Sequence, residues 1–367
     1  MLALTKSALH GTIPDEKLFA GVSENEWNEV FEHAAAHGVL VLSLEGIIRL
    51  PKELQPPHSV KLQWLIIVDT VEKKYRHCLE IAKELSARFR ENNIRMMVFK
   101  GVALSRLYPV PASREFGDID IFLCGKSQEG NAILKLLTGQ KGESSQKHSN
   151  FYYRKVLIEN HHTFLNLGSY KSFQHGETME KRLMATLTEA GSMEGTNFFE
   201  STSEDNLLLF PPPDFDALFV TLHTLTHFTA RIVLRQLCDL TVLFTAYKGK
   251  INLQLYRQTL DEAGLSKLAG ALISLCVSKL GLNPEYAPPY QSDISLENRI
   301  WNDMINPEVS PLPKEKRSLL KVFFYKIQLL QSRRWKSELV FPGQYGKRIL
   351  FSTVYHLRHP QIIGKLF

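Results

Sequence analysis

At 367 residues and 44% hydrophobic content the chain can bury a large core, which excludes a disordered or low-complexity polypeptide. No apolar run reaches the roughly 18 to 20 residues that span a bilayer, and the first residues lack the charged start and long apolar centre of a leader, so a cytoplasmic protein is expected. The net charge of +6 is uneven: residues 311–367 hold 12 Lys and Arg against 2 Asp and Glu, a balance that suits nucleotides, nucleic acid or an anionic membrane, or a solvated helical face. Four cysteines stand far apart with no C-x-x-C pair, which predicts buried free thiols rather than a disulfide framework or zinc ribbon.

The first twenty residues carry no clear pattern. Residues 24–37 place Trp27, Val30, Phe31 and Ala34 at helical spacing, and Gly38 separates them from a second helix over 39–50. After a linker at 51–57, apolar residues recur at helical spacing and predict one long or kinked helix over 59–93. Residues 94–99, apolar apart from Arg95, are too few for a helix and end in Lys100-Gly101, which predicts a buried strand closed by a turn. A short helix over 102–107 is broken by Tyr108-Pro-Val-Pro. Arg114 follows in a loop, and Gly117 opens a second strand over 118–124.

On that strand Asp118 and Asp120 share one face and are expected to meet solvent, while Ile119, Ile121 and Leu123 point the other way. Neighbouring anions call for a cation or a shared proton, and hard oxygen donors suit Mg²⁺, although a solvated strand end would show the same Asp-x-Asp. Gly125-Lys-Ser127 is not a P-loop, because Asp120 stands where that motif needs glycine. A helix over 131–137 and a polar loop over 138–149 lead to a hairpin of strands 150–153 and 155–160, in which Leu157, Glu159 and His161 share a face, and to an apolar run at 163–167.

A helix near 177–190 and a strand about 198–202 precede the break at Pro211-Pro-Pro213. The helix expected over 214–229 presents His223 and His227 at i and i+4. A zinc pair would need a further ligand in register, and Thr224-Leu225 occupy the middle, so structural or pocket roles remain. Arg235 and Asp239 stand at ion-pairing distance in a helix over 231–247. Helical patterns continue over 253–263, 266–280, 296–305 and 315–332, before an aromatic, basic closing segment.

The order of strand, Lys-Gly turn, short helix, loop arginine and Asp-x-Asp strand resembles the nucleotidyltransferase superfamily typified by DNA polymerase beta. It is most similar to a family of uncharacterised nucleotidyltransferase-like proteins in bacteria. Carrying the likeness are residues 94–99, Lys100-Gly101, Leu104, Tyr108, Arg114 and Asp118-Ile-Asp-Ile, with Trp27, residues 33–40 and the block 211–243 around them, over about 25–245 in all. The resemblance implies an α+β protein: a polymerase-beta-like core, a small mixed sheet with helices, embedded in a largely helical chain. It implies Asp118, Asp120 and Glu159 as catalytic ligands of Mg²⁺ or Mn²⁺, and Lys100, Gly101 and Arg114 as nucleotide contacts. His161, His223, His227, Arg235 and Asp239 become candidates for a substrate pocket.

The implied reaction moves a nucleoside monophosphate from a nucleoside triphosphate, such as ATP, to an acceptor hydroxyl on a small molecule, a protein or an RNA. One departure stands: active members of the wider superfamily carry Gly-Ser at the turn, and Lys100-Gly101-Val102 has no serine there. A non-catalytic nucleotide- or partner-binding protein on the same fold is therefore the alternative. The expected organisation is an N-terminal helical region (1–92), a catalytic core (93–210), a helical domain (211–310) and a basic C-terminal segment (311–367).

Overall fold

A computed structural model describes residues 1–145, 147–165, 176–189, 199–200, 208–307, 309, 319–347 and 349–350. Seven short strands form one mixed sheet: β1 (Met97–Phe99), β2 (Asp118–Phe122), β3 (Glu143–Ser144), β4 (His148–Tyr153), β5 (Val156–His161), β6 (Phe199–Glu200) and β7 (Leu209–Phe210). Their spatial order is β3-β4-β5-β2-β1-β7-β6. Strand β2 runs antiparallel to β1 and parallel to β5, so Asp120 lies between Phe99 on one side and Glu159 on the other. Helices make up most of the remainder, as an α+β reading with a small sheet in a largely helical chain requires. No helix among the described residues is long and apolar enough to cross a membrane.

Local pattern decides most elements. The expected helix over 59–93 is one continuous 34-residue helix, His58–Glu91, whose buried stripe runs from Val60 to Phe89. Ser23 and Glu26 form a reciprocal cap at the start of helix Glu24–Ala36. Four expectations change. Strand β1 keeps only the last three residues of 94–99, and the helix after the turn is one short piece, Gly101–Ser105, too brief to offer a substantial dipole to a phosphate. The loop expected over 138–149 contains β3 and the start of β4. The first twenty residues, expected to be irregular, hold helix Leu2–His10, while 166–167, 190, 198, 201–202, 315–318 and 351–367 lie outside the described residues. All four cysteines are free thiols, three of them buried.

Both faces of the sheet are covered. Val98, Ile119, Ile121, Leu123, Phe151 and Ile158 form one core with Cys78, Ile81, Leu85 and Phe89 of the long helix. The alternate residues Met97, Phe99 and Phe122 turn instead toward the helical half of the chain, where Phe99 meets Phe164, Phe215 and Phe219 edge to face. Helix Pro213–Phe228, buried along most of its length, roofs this second face. By alternation it is the face that carries Asp118 and Asp120.

One buried acid on that helix sets a pH dependence. Asp216 accepts a hydrogen bond from the Tyr247 hydroxyl at 3.1 Å and lies 3.8 Å from Arg106, while its Oδ1 has no partner among the described residues. Desolvation outweighs both neighbours and lifts the carboxyl from 3.8 to about 7. Between those values the folded chain retains a proton that the unfolded chain has released, so this group's contribution to stability falls as pH rises from about 4 to about 7 and is level above. Replacing it, Asp216→Asn, is expected to flatten that slope and raise stability at pH 8 relative to wild type. Urea unfolding at pH 5 and pH 8 measures both effects, and an unchanged slope would assign the pH dependence elsewhere.

Candidate functional site

At the centre of the covered face, Asp120 is 1% exposed. Its Oδ1 accepts from Lys100 Nζ at 2.5 Å and stands 2.8 Å from His161 Nε2, while Oδ2 has no partner among the described residues. Glu159, the in-register neighbour on β5, holds Oε2 at 3.3 Å from the same imidazole nitrogen and 4.0 Å from Lys100. Donor atoms of Asp120, Glu159 and His161 lie within 4.8 Å of one another and could hold a metal ion. Burial alone would raise the Asp120 carboxyl, but Lys100 and His161 override it and keep the group ionised well below the usual range. The same pairing overcomes desolvation at Lys100 and pushes its ammonium up.

Lys100 reaches this position from an unusual backbone. Its φ of 52° and ψ of −117° lie in a region that L residues rarely occupy, just before helix Gly101–Ser105. Gly101 behind it is buried, and a Cβ there would stand 3.1 Å from the Phe116 ring, so close packing with that ring favours glycine.

Beside the cluster lies a cavity of about 210 Å³, lined by Lys100, Phe219, His223, His227, Arg231 and Arg235, among others. Among the described residues of the lining, Asp239 is the one carboxylate. That acid is committed: Arg114 grips it with Nε at 2.8 Å and Nη2 at 2.9 Å, Tyr108 donates to it at 2.7 Å, and Arg235 lies 3.6 Å away. The cavity wall is thus positive overall. Desolvation, then Lys100, depresses both cavity histidines, His223 more strongly, so they are neutral imidazoles near pH 7.

The structure brings Asp120, Glu159, His161 and Lys100 into one cluster, and His223, His227, Arg235 and Asp239 around one cavity next to it. Two expectations need correction. Asp120 does not meet solvent, because Phe219 and its helix cover that face, and only Asp118, at the strand entrance, is half-buried. Burial and the Asp120 charge raise the Asp118 carboxyl. Arg114, expected to contact the nucleotide, lines the cavity with its fork bound to Asp239 rather than open to phosphate.

Two groups escaped the sequence reading because both fall in the stretch taken for a polar loop. His148 pairs with His161 across β4 and β5, and its Nε2 is 3.7 Å from Glu159. Extending the hairpin alternation two residues back from Asn150 would have exposed it. Lys147, half-buried, is depressed to about 8 by desolvation and then by Lys100, with Asp120, Glu159 and Glu180 acting in the opposite sense.

A family model described as uncharacterised nucleotidyltransferase matches residues 23–281. No curated protein and no solved structure matches the chain.

The Arg114–Asp239 pair generates a stability prediction. Asp239→Ala leaves a buried guanidinium and the Tyr108 hydroxyl without their acceptor and is expected to lower unfolding free energy by about 3–5 kcal/mol. The double exchange Arg114→Met with Asp239→Leu should recover much of that loss. Chemical unfolding of the set decides, and an Asp239→Ala protein within about 1 kcal/mol of wild type would refute a structural role for the pair.

Proposed function

Because the chain belongs to the uncharacterised nucleotidyltransferase family, we propose that it transfers a nucleoside monophosphate from a nucleoside triphosphate to an acceptor hydroxyl, with a divalent cation held by the acidic cluster. The observation that carries this reading is the placement of Asp120 and Glu159 in register on neighbouring strands, against a cavity whose wall is cationic. In the proposed reaction the acceptor oxygen bonds to the α phosphorus, the bond to the leaving pyrophosphate breaks, and one proton is released.

Asp120, Glu159 and His161 offer donors for the cation, with Asp118 half-buried at the strand entrance beside them. When bound, a divalent cation there neutralises charge on the phosphates and lowers the pKa of an attacking hydroxyl. Lys100, which borders both cluster and cavity, would orient the triphosphate and offset charge on the leaving group. Arg231 and Arg235 extend the positive wall away from the sheet. Neutral His223 and His227 present hydrogen-bonding edges without adding charge, which suits contact with an acceptor hydroxyl.

Calorimetric titration of each of the four nucleoside triphosphates, with and without Mg²⁺ or Mn²⁺, tests the reading. Glu159→Gln is the informative variant, since that side chain is 15% exposed and its loss disturbs the core less than loss of Asp120. Metal-dependent binding in wild type, weakened by about 100-fold or more in Glu159→Gln, is expected. Folded wild type that binds none of the four with either cation would sink the proposal. Lys100→Ala should weaken triphosphate binding more than cation binding, and unchanged nucleotide affinity would remove Lys100 from the site.

A further inference from the structure

The proposal above leaves open which cation the cluster selects, and the hydrogen bonds of His161 bear on it. Its Nδ1 lies 3.2 Å from the Thr163 carbonyl oxygen, an acceptor only, so Nδ1 carries the proton. The other nitrogen, Nε2, points at carboxylate oxygens of Asp120 at 2.8 Å and Glu159 at 3.3 Å. Without a metal, Nε2 donates a proton to these oxygens; once that proton leaves, the three atoms are electron-pair donors that converge in a largely buried site.

Two further observations point to a ligand. Asp120 Oδ2 is buried without a partner among the described residues, an orphan of the kind that folded proteins rarely leave. The two separations from His161 Nε2, 2.8 and 3.3 Å, also fit a first-row cation, because cis donors each bound about 2.1 Å from one ion lie about 3 Å apart. Fixing an imidazole through its far nitrogen to a carbonyl is the usual support of a metal-bound histidine.

Resting on the reading of the cluster as a metal site, we infer that His161 is a nitrogen ligand and that the site selects Mn²⁺- or Zn²⁺-type cations over Mg²⁺. Imidazole is a poor ligand for Mg²⁺, which keeps to oxygen donors, and a better one for later divalent metals. The ammonium of Lys100, 2.5 Å from Asp120 Oδ1, is the internal cation that such a metal displaces. Lys100 also lines the cavity, so the released ammonium has an adjoining place beside bound phosphate. His148 is the alternative nitrogen, its Nδ1 likewise fixed by Asn150 Oδ1 at 2.7 Å, but its Nε2 is 3.7 Å from Glu159 against 3.3 Å for His161.

Pulsed electron paramagnetic resonance on the full-length protein loaded with Mn²⁺ tests the assignment without reference to activity. Wild type is expected to show ¹⁴N modulation from a directly bound imidazole, altered when the protein is grown with ¹⁵N-histidine, which needs no variant to fold. His161→Gln should lose the signal and His148→Gln retain it. Equilibrium dialysis should show Mn²⁺ bound about 10-fold or more tighter than Mg²⁺ in wild type, with the preference lost in His161→Gln. Bound Mn²⁺ with no nitrogen coupling, or coupling lost only in His148→Gln, overturns the role of His161 while leaving metal-assisted transfer standing. Absence of any divalent binding, with or without nucleotide, would overturn the metal reading itself.

Discussion

Everything around the candidate site follows from one carboxylate turned inward. Asp120 is 1% exposed, and an ionised acid at that depth is tolerated only when compensating charge and hydrogen bonds surround it. Lys100 and His161 supply them, from the turn after β1 and from the end of β5. The demand reaches into the backbone, because Lys100 occupies a region of positive φ that disfavours any residue with a Cβ. A conformation of that kind persists only where neighbours over-determine it, and such positions concentrate at functional sites. Helix Pro213–Phe228 covers the same face, which raises the demand for compensating partners.

A second buried charge pair fixes the other wall. Tyr108 and Arg114, both in the loop between β1 and β2, converge on Asp239 of helix Leu234–Ala246. The bidentate geometry fixes distance and orientation together, so this contact ties the segment between β1 and β2 to the helical half at the cavity wall. Two residues that the family resemblance would assign to phosphate or substrate are, in the fold, the fasteners of the cavity.

Much of this was legible in the chain. Alternation alone placed Asp118 and Asp120 on one face and paired Glu159 with His161 on another strand, because strand faces are set by neighbours two residues away. The hairpin and the long helix declared themselves for the same local reason. What stayed hidden depends on distant segments. Whether the acidic face meets water is decided by Phe219, about a hundred residues on, and the partner of Arg114 lies 125 residues away. Arg235 and Asp239 looked like a simple helical pair, yet Arg114 takes the closer contact and Arg235 is left at 3.6 Å. His148 and Lys147 were masked by composition, since a run of Ser, Gln, Lys and Gly gives a strand no apolar partner to mark it.

Charge is segregated across the site in a way that constrains its occupant. The sheet contributes carboxylates, and the helical wall contributes Arg231, Arg235 and the neutral histidines, with Lys100 at the border. A simple anion would satisfy the helical wall and be repelled by the sheet; a simple cation would meet the converse. The proposed occupant, a divalent cation bound to a polyphosphate, carries both signs in fixed relation and would match the two halves at once. With the proposed complex in place, Lys100 would exchange its carboxylate for phosphate without losing a counter-charge, next to Lys147, which desolvation and then Lys100 lower to about 8. On that proposal, the excess of positive charge on one wall and its deficit on the other are two halves of a single binding requirement.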